Sequence, residues 1–200
     1  MVNLLGATPE ADKQDFKTFV TDPGFLPDEI KLYPCALVSG TQLVQKYREG
    51  AWQPYAKDEL VDVLVQDVLN TPPYVRISRM IRDISATDIL VGNKHTNLRQ
   101  MVEQELAAED VARRVQEIRF REINQQQVNA AELALQDFTY TTAVSNEHFL
   151  QWVTTDNKIA GFCRLSLPHW DKLTSGACDV SANELLVQPG QAMIRELHVY

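Results

Sequence analysis

Met193-Ile-Arg-Glu-Leu-His-Val-Tyr200 alternates apolar and polar side chains along its second half, the period-two spacing of a β-strand with one face on a core. Reading backwards from it, Ile159 to Leu167 is a second strand, entered through the turn Thr155-Asp-Asn-Lys158. Phe149 to Thr154 and Leu135 to Val144 supply two more. Short connections between strands predict a mainly antiparallel sheet. The stretch 107–135 is charged and glutamine-rich, and its pattern changes from helical to strand-like near Glu122 to Asn129, where the sequence places a domain boundary.

The first half has a different rhythm. A helix is predicted from about Asn97, with Thr96 as N-cap and Leu98, Met101, Val102 and Leu106 on one face. Lys57 to Leu69 is an amphipathic helix carrying Leu60, Leu64 and Val68. It ends at Asn70-Thr-Pro-Pro73 and is followed by a strand, Tyr74 to Ile77. Cys35 to Val38 reads as a buried strand, and Asp12 to Val20 and Thr41 to Tyr47 as short helices. Strand, helix, strand with short connections predicts an α/β fold.

With 200 residues and 44% hydrophobic content, the chain can bury one good core or two small ones. Its apolar runs are short, and Met1-Val-Asn-Leu-Leu-Gly6 lacks the basic start and apolar core of a signal peptide. The expectation is a cytoplasmic protein with no membrane partner. Cys35, Cys163 and Cys178 are odd in number and widely spaced, which fits reduced thiols and neither a disulfide framework nor a metal site.

The net charge of −8 argues against a generic nucleic-acid binder, because phosphates must be neutralised by Lys and Arg. Locally the balance reverses. Residues 76–99 hold 5 basic and 2 acidic side chains, against 6 and 11 in residues 1–75 and 8 and 14 in residues 100–200. Arg76, Arg79, Arg82, Lys94 and Arg99 are therefore a candidate phosphate-binding surface on an acidic body. The first three recur at three-residue spacing, which shares a face in a helical turn and alternates sides in an extended strand.

Several ordered motifs resemble one family. Asn3-Leu4-Leu5-Gly6-Ala7-Thr8-Pro9-Glu10, Ile30-Lys31-Leu32-Tyr33-Pro34 and Gly40-Thr41-Gln42-Leu43 come first, then Pro72-Pro73-Tyr74-Val75-Arg76, Arg82-Asp83-Ile84 and Asn97-Leu98-Arg99-Gln100. Together with the closing strand they resemble the catalytic subunit of the Elongator complex and its single-chain archaeal and bacterial relatives. These are tRNA uridine-34 acetyltransferases, or tRNA carboxymethyluridine synthases, that couple a radical S-adenosylmethionine barrel to a GNAT-type acetyltransferase domain.

The resemblance implies that residues 1–90 are the C-terminal part of the β/α barrel, 91–122 a helical linker and 123–200 the N-terminal half of the acetyltransferase fold. It implies tRNA and acetyl-CoA as partners, with other Elongator subunits where the organism has them. Lys31 and Tyr33 would lie near the barrel mouth, where an ammonium and a phenol can contact substrate. Glu196 would stand where related acetyltransferases carry a general base. The cations of residues 76–99 would meet tRNA phosphates.

Three departures qualify it. The Cys-x3-Cys-x2-Cys that ligates a [4Fe–4S] cluster is absent. Where many relatives carry a cysteine-rich run that helps bind zinc, this chain has Val115-Gln-Glu-Ile-Arg-Phe-Arg-Glu122, so no metal ligand is assigned and His198 is expected to pack as a strand residue. The Gly-rich loop that holds the coenzyme A pyrophosphate in this fold is also missing. The expectation is a fragment of a tRNA-modifying enzyme, with the ligand motifs for S-adenosylmethionine, the iron–sulfur cluster and acetyl-CoA outside it. The alternative is a non-catalytic interaction module derived from that family.

Overall fold

A computed structural model describes residues 1–124, 127–175 and 187–200. The chain divides into two compact units. The first gathers Met1–Thr21 and Pro27–Phe120, the second Asp22–Leu26 and Arg121–Tyr200.

In the first unit, helices α1 (Pro9–Thr21), α3 (Lys57–Leu69) and α4 (Leu98–Glu105) bury their apolar stripes on one another. Val63, Leu64, Leu98 and Val102 are almost wholly excluded from water, each contributing roughly 1.5–3 kcal/mol of burial energy. The predicted span of α3 is the observed one. Its start is fixed by Glu59, whose carboxylate accepts the Ala56 N–H at 2.8 Å. For α4 the N-cap is Asn97, without a side-chain cap bond, and not Thr96. Shorter helices α2 (Leu43–Arg48), α5 (Glu109–Ala112) and α6 (Ile118–Arg121) complete the helical set.

Two small sheets accompany these helices. Strand β1 (Glu29–Lys31) pairs in parallel with β3 (Arg76–Arg79), and β2 (Leu37–Val38) pairs antiparallel with β4 (Ile89–Val91). The strand–helix–strand reading therefore holds with β1 as the first strand, where the sequence pointed to Cys35–Val38. Glu29-Ile-Lys31 is too short and too charged to show a period. Gly92, at φ +116°, brings the chain so close to Ala36 that a Cβ would meet the Ala36 Cα at 3.2 Å.

The second unit is a four-stranded antiparallel sheet in the order β5 (Ala134–Thr141), β6 (Ser145–Val153), β7 (Ile159–Pro168), β8 (Met193–Val199). A short helix α7 (Trp170–Ser175) follows β7. One sheet face buries Phe149, Val153 and Phe162, and the other leaves Leu135, Trp152, Leu167, Ile194, Leu197 and Val199 exposed. Gly161 is required where it stands, since a Cβ would meet the His198 carbonyl at 2.9 Å.

Polar groups on the buried face are satisfied in pairs. Glu147 accepts from Ser145 and Ser166, both at 2.6 Å, and from Arg195 at 2.7 Å. Arg121 donates to Gln151 at 2.8 Å and to the Asn157 side chain at 2.9 Å. Such a network specifies one register, because a slipped strand would strand several buried charges at once.

Candidate functional site

The C-terminal end of the β1/β3 pair collects four of the side chains singled out by sequence. Parallel strands expose their carboxyl ends to a crevice, the usual place for ligands in α/β architectures. Lys31 ends β1, half exposed, 3.8 Å from Glu29. The Leu32 N–H donates to the Arg79 carbonyl at 2.9 Å, extending the ladder to Tyr33.

A register shift falls between Ile30 and Lys31, so that Glu29 faces Arg76, Ile30 faces Ile77 and Lys31 faces Arg79. Ser78 is the extra residue of a β-bulge. Its hydroxyl donates to Glu29 at 2.7 Å. Because Glu29 and Lys31 are two apart on one strand, their partners Arg76 and Arg79 come to the same side despite being three apart. The bulge therefore gives an extended strand the result that three-residue spacing gives in a helix.

Arg79 is exposed and ion-paired with Asp83. The Arg82 guanidinium lies 5.9 Å from the centroid of the Tyr33 ring, a cation–π contact that fixes both groups. The result is an aromatic ring flanked by Lys31, Arg79 and Arg82, offset by Glu29 and Asp83.

The other candidates are placed elsewhere. Lys94 is exposed in the loop before α4. Arg99 turns inward, donating to the Ile77 carbonyl and lying 3.3 Å from Glu103 and 3.8 Å from Glu117. It braces the back of β3 and offers little to a ligand. Glu196 accepts from the Arg164 Nε at 2.7 Å, and the Arg164 guanidinium also lies over both Phe149 and Phe162, 5.1 and 5.2 Å from their centroids, where the two rings pack together. The Glu196 carboxylate thus neutralises a buried cation. His198 stacks on Phe162 with centroids 5.6 Å apart.

Among the described residues no group of three His, Cys, Asp or Glu is placed to hold a metal. Cys35 lies in the first unit and Cys163 in the second, while Cys178 falls outside the described residues. Burial pushes the Cys35 thiol up, away from the thiolate form a metal requires. These residues do not fit an iron–sulfur cluster.

Sequence reasoning missed two buried carboxylates that organise the first unit. Glu117, in α6's lead-in, accepts the N–H groups of Ile77, Phe120 and Arg119 at 2.6, 2.8 and 3.1 Å. Asp67 is buried in α3 with its Oδ1 unpartnered. Burial, and then the nearby Asp12 carboxylate, push it up to about 8. The signal in the sequence was an acidic residue among apolar ones: Asp67 in the apolar stripe of α3, and Glu117 between Val115 and Ile118.

Residues 27–108 match the Radical SAM C-terminal domain. The tRNA uridine(34) acetyltransferase of Dehalococcoides mccartyi (strain CBDB1) is 34% identical over 203 aligned residues, covering 100% of this chain and 42% of the relative. Elongator complex protein 3 of Homo sapiens is 28% identical, again over 100% of this chain, and 35% of its own length is covered. Among solved structures, archaeal Methanocaldococcus infernus Elp3 with an N-terminal deletion superposes with a TM-score of 0.84 at 28% identity, over 100% of this chain and 45% of that one. The chain spans about two fifths of the length of these relatives. Related to them over its whole length, it belongs to the family of tRNA uridine(34) acetyltransferase and Elongator complex protein 3, and it carries that family's Radical SAM C-terminal domain.

Proposed function

We propose that this chain is part of an enzyme that builds the 5-carboxymethyl group on wobble uridine 34 of tRNA, and that its own share of that work is to hold the RNA. The observation that carries the reading is the similarity to a tRNA uridine(34) acetyltransferase over 100% of the chain. In this reading Arg79 and Arg82 meet tRNA phosphates, with Arg76 on the same side of the bulged strand. Lys31 and Tyr33 contact the substrate nucleotide between them. Their grouping at the carboxyl end of β1 and β3 supports those roles.

The antiparallel sheet β5–β8 is taken as the N-terminal half of a GNAT-type fold. Glu196 is assigned to holding Arg164, not to moving a proton. S-adenosylmethionine, the [4Fe–4S] cluster and acetyl-CoA are proposed to bind parts of the complete protein outside this chain, and no step is derived through them. The complete protein is read as cytoplasmic, with other Elongator subunits as partners in organisms that have them. No helix among the described residues is long and apolar enough to cross a membrane.

The test is a titration of the folded chain with tRNA carrying uridine 34, followed by fluorescence anisotropy at several salt concentrations. Binding is expected to weaken steeply with salt, and Arg79→Ala and Arg82→Ala should each lower the slope by about one. A flat titration at low salt, with the chain shown to be folded, would replace this reading with that of a non-catalytic interaction module.

A further inference from the structure

A cleft of about 280 Å³ in the first unit is lined by Tyr55, Lys57, Leu60, Asn93, Lys94 and His95, with Gly92 and Leu98 beneath. Its chemistry is divided. Leu60, Leu98 and the Tyr55 ring make an apolar floor and wall, while Lys57, Lys94 and His95 bring cationic or titratable nitrogens to the rim. A small apolar ligand would not need the lysines, and a bare anion would not need the ring.

The walls are set before any ligand arrives. The Tyr55 hydroxyl donates to Asp12 at 2.8 Å, which fixes the ring plane. The loop carrying Lys94 and His95 is closed by the Asn93 side chain, which accepts the His95 N–H at 3.3 Å and donates to the His95 carbonyl at 3.2 Å. Gly92 pins the same loop against Ala36. Ordering cost on binding is therefore low.

The loop also joins two clefts. Asn93, Lys94 and His95 line a second depression that continues through Thr96, Ile89 and Ala36 to Arg82, and Arg82 lies over Tyr33 in the candidate site. Cations thus run from Arg79 and Arg82, across Lys94, to Lys57, with an aromatic ring at each end. This is the layout of a single-strand track, in which phosphates follow the cations and unstacked bases lie on rings.

We infer that the Tyr55–Lys57–Lys94–His95 cleft holds an unpaired nucleotide of the same RNA strand whose neighbouring segment lies at the Lys31–Tyr33 surface. The inference rests on the tRNA-binding reading above and adds a second point of contact to it. It also names the class of nucleic acid: RNA with unpaired bases, in preference to duplex.

The experiment compares three proteins, all as the full chain: wild type, Lys57→Ala/Lys94→Ala, and His95→Ala. Each is titrated with an RNA stem-loop presenting an unpaired loop and with a blunt RNA duplex of equal length, across a salt series. All three side chains are exposed at the cleft rim, and matching thermal melts confirm that folding is unchanged. The double variant is expected to bind the stem-loop about tenfold more weakly, with a salt slope lower by about two, and to bind the duplex nearly as wild type does. His95→Ala should weaken the stem-loop a few-fold with little change in slope, as loss of a stacking surface does.

If wild type binds the stem-loop and the double variant matches it in affinity and slope, the inference fails while the tRNA reading stands. Equal weakening for stem-loop and duplex overturns the assignment to unpaired nucleotides. Absence of RNA binding by wild type overturns both.

Discussion

Glu117→Ala is expected to destabilise the first unit by about 3–5 kcal/mol, the cost of removing one partner from a buried charged cluster. The Glu117 carboxylate has no solvent exposure and answers three N–H groups from Ile77, Arg119 and Phe120, with the Arg99 guanidinium 3.8 Å away. Truncation leaves those donors without acceptors and removes the charge opposite Arg99, whose Nε already lacks a partner. Burial raises the carboxyl's pKa, against the pull of Arg99 and the N–H groups. Glu117→Gln keeps the shape and one accepting oxygen but turns an NH2 toward a donor, so a smaller loss is expected. Urea unfolding of the three proteins checks the order, and a change under about 1 kcal/mol for the alanine variant would remove this account.

The second large effect is in pH. An unfolded Asp67 titrates near the ordinary value of about 3.9, whereas in the folded chain it is pushed up to about 8. Between those values the folded state holds a proton that the unfolded state has released. Stability contributed there is complete below about pH 4 and is lost as pH rises towards about 8, by up to about 1.4 kcal/mol per pH unit. Asp67→Asn has no proton to lose. Wild type and variant should be about equally stable at pH 4 and diverge above it, with the asparagine form more stable by a few kcal/mol, on the order of this linkage, at pH 9. Parallel stability curves from pH 5 to 9 would contradict the burial of a neutral carboxyl. Asp67 also sits beside Asp12, the acceptor for Tyr55, so the same titration disturbs one wall of the proposed nucleotide cleft.

Long periodic elements were legible from sequence for a physical reason: they bury many side chains at a fixed spacing. Lys57–Leu69 and the inner strands β6 and β7 show this. Glu29–Lys31 and Ile89–Val91 did not, because three residues contain no period and each finds its partner far along the chain. The bulge at Ser78 was equally hidden, since register depends on both strands. It changed which arginines share a face.

The candidate site was legible in its members and not in its grouping. Lys31, Tyr33, Arg79 and Arg82 converge, whereas Arg99 turns inward although it belongs to the same basic stretch. Local charge counts record how many cations a segment has, and packing decides which of them water sees. Tyr55 and Lys57 do not stand out as site residues in the sequence because the loop that makes them part of a cleft, residues 92–95, lies far away in it.

The pairing of Ile30 with Ile77 also sets a timetable. Thr141 meets Asn146 across a tight turn, and β6 meets β7 across another, so the β5–β6–β7 part of the second unit assembles from neighbours. The first unit must close a loop nearly ten times longer before β1 and β3 touch, at an extra entropic cost of about 2 kcal/mol. The antiparallel meander is thus the early-folding half and the parallel pair the late one. Pulse-labelled hydrogen exchange should protect the Phe149 amide before the Ile77 amide, whose acceptor, Glu117, lies beyond the crossover. Simultaneous protection would mean the two units fold as one.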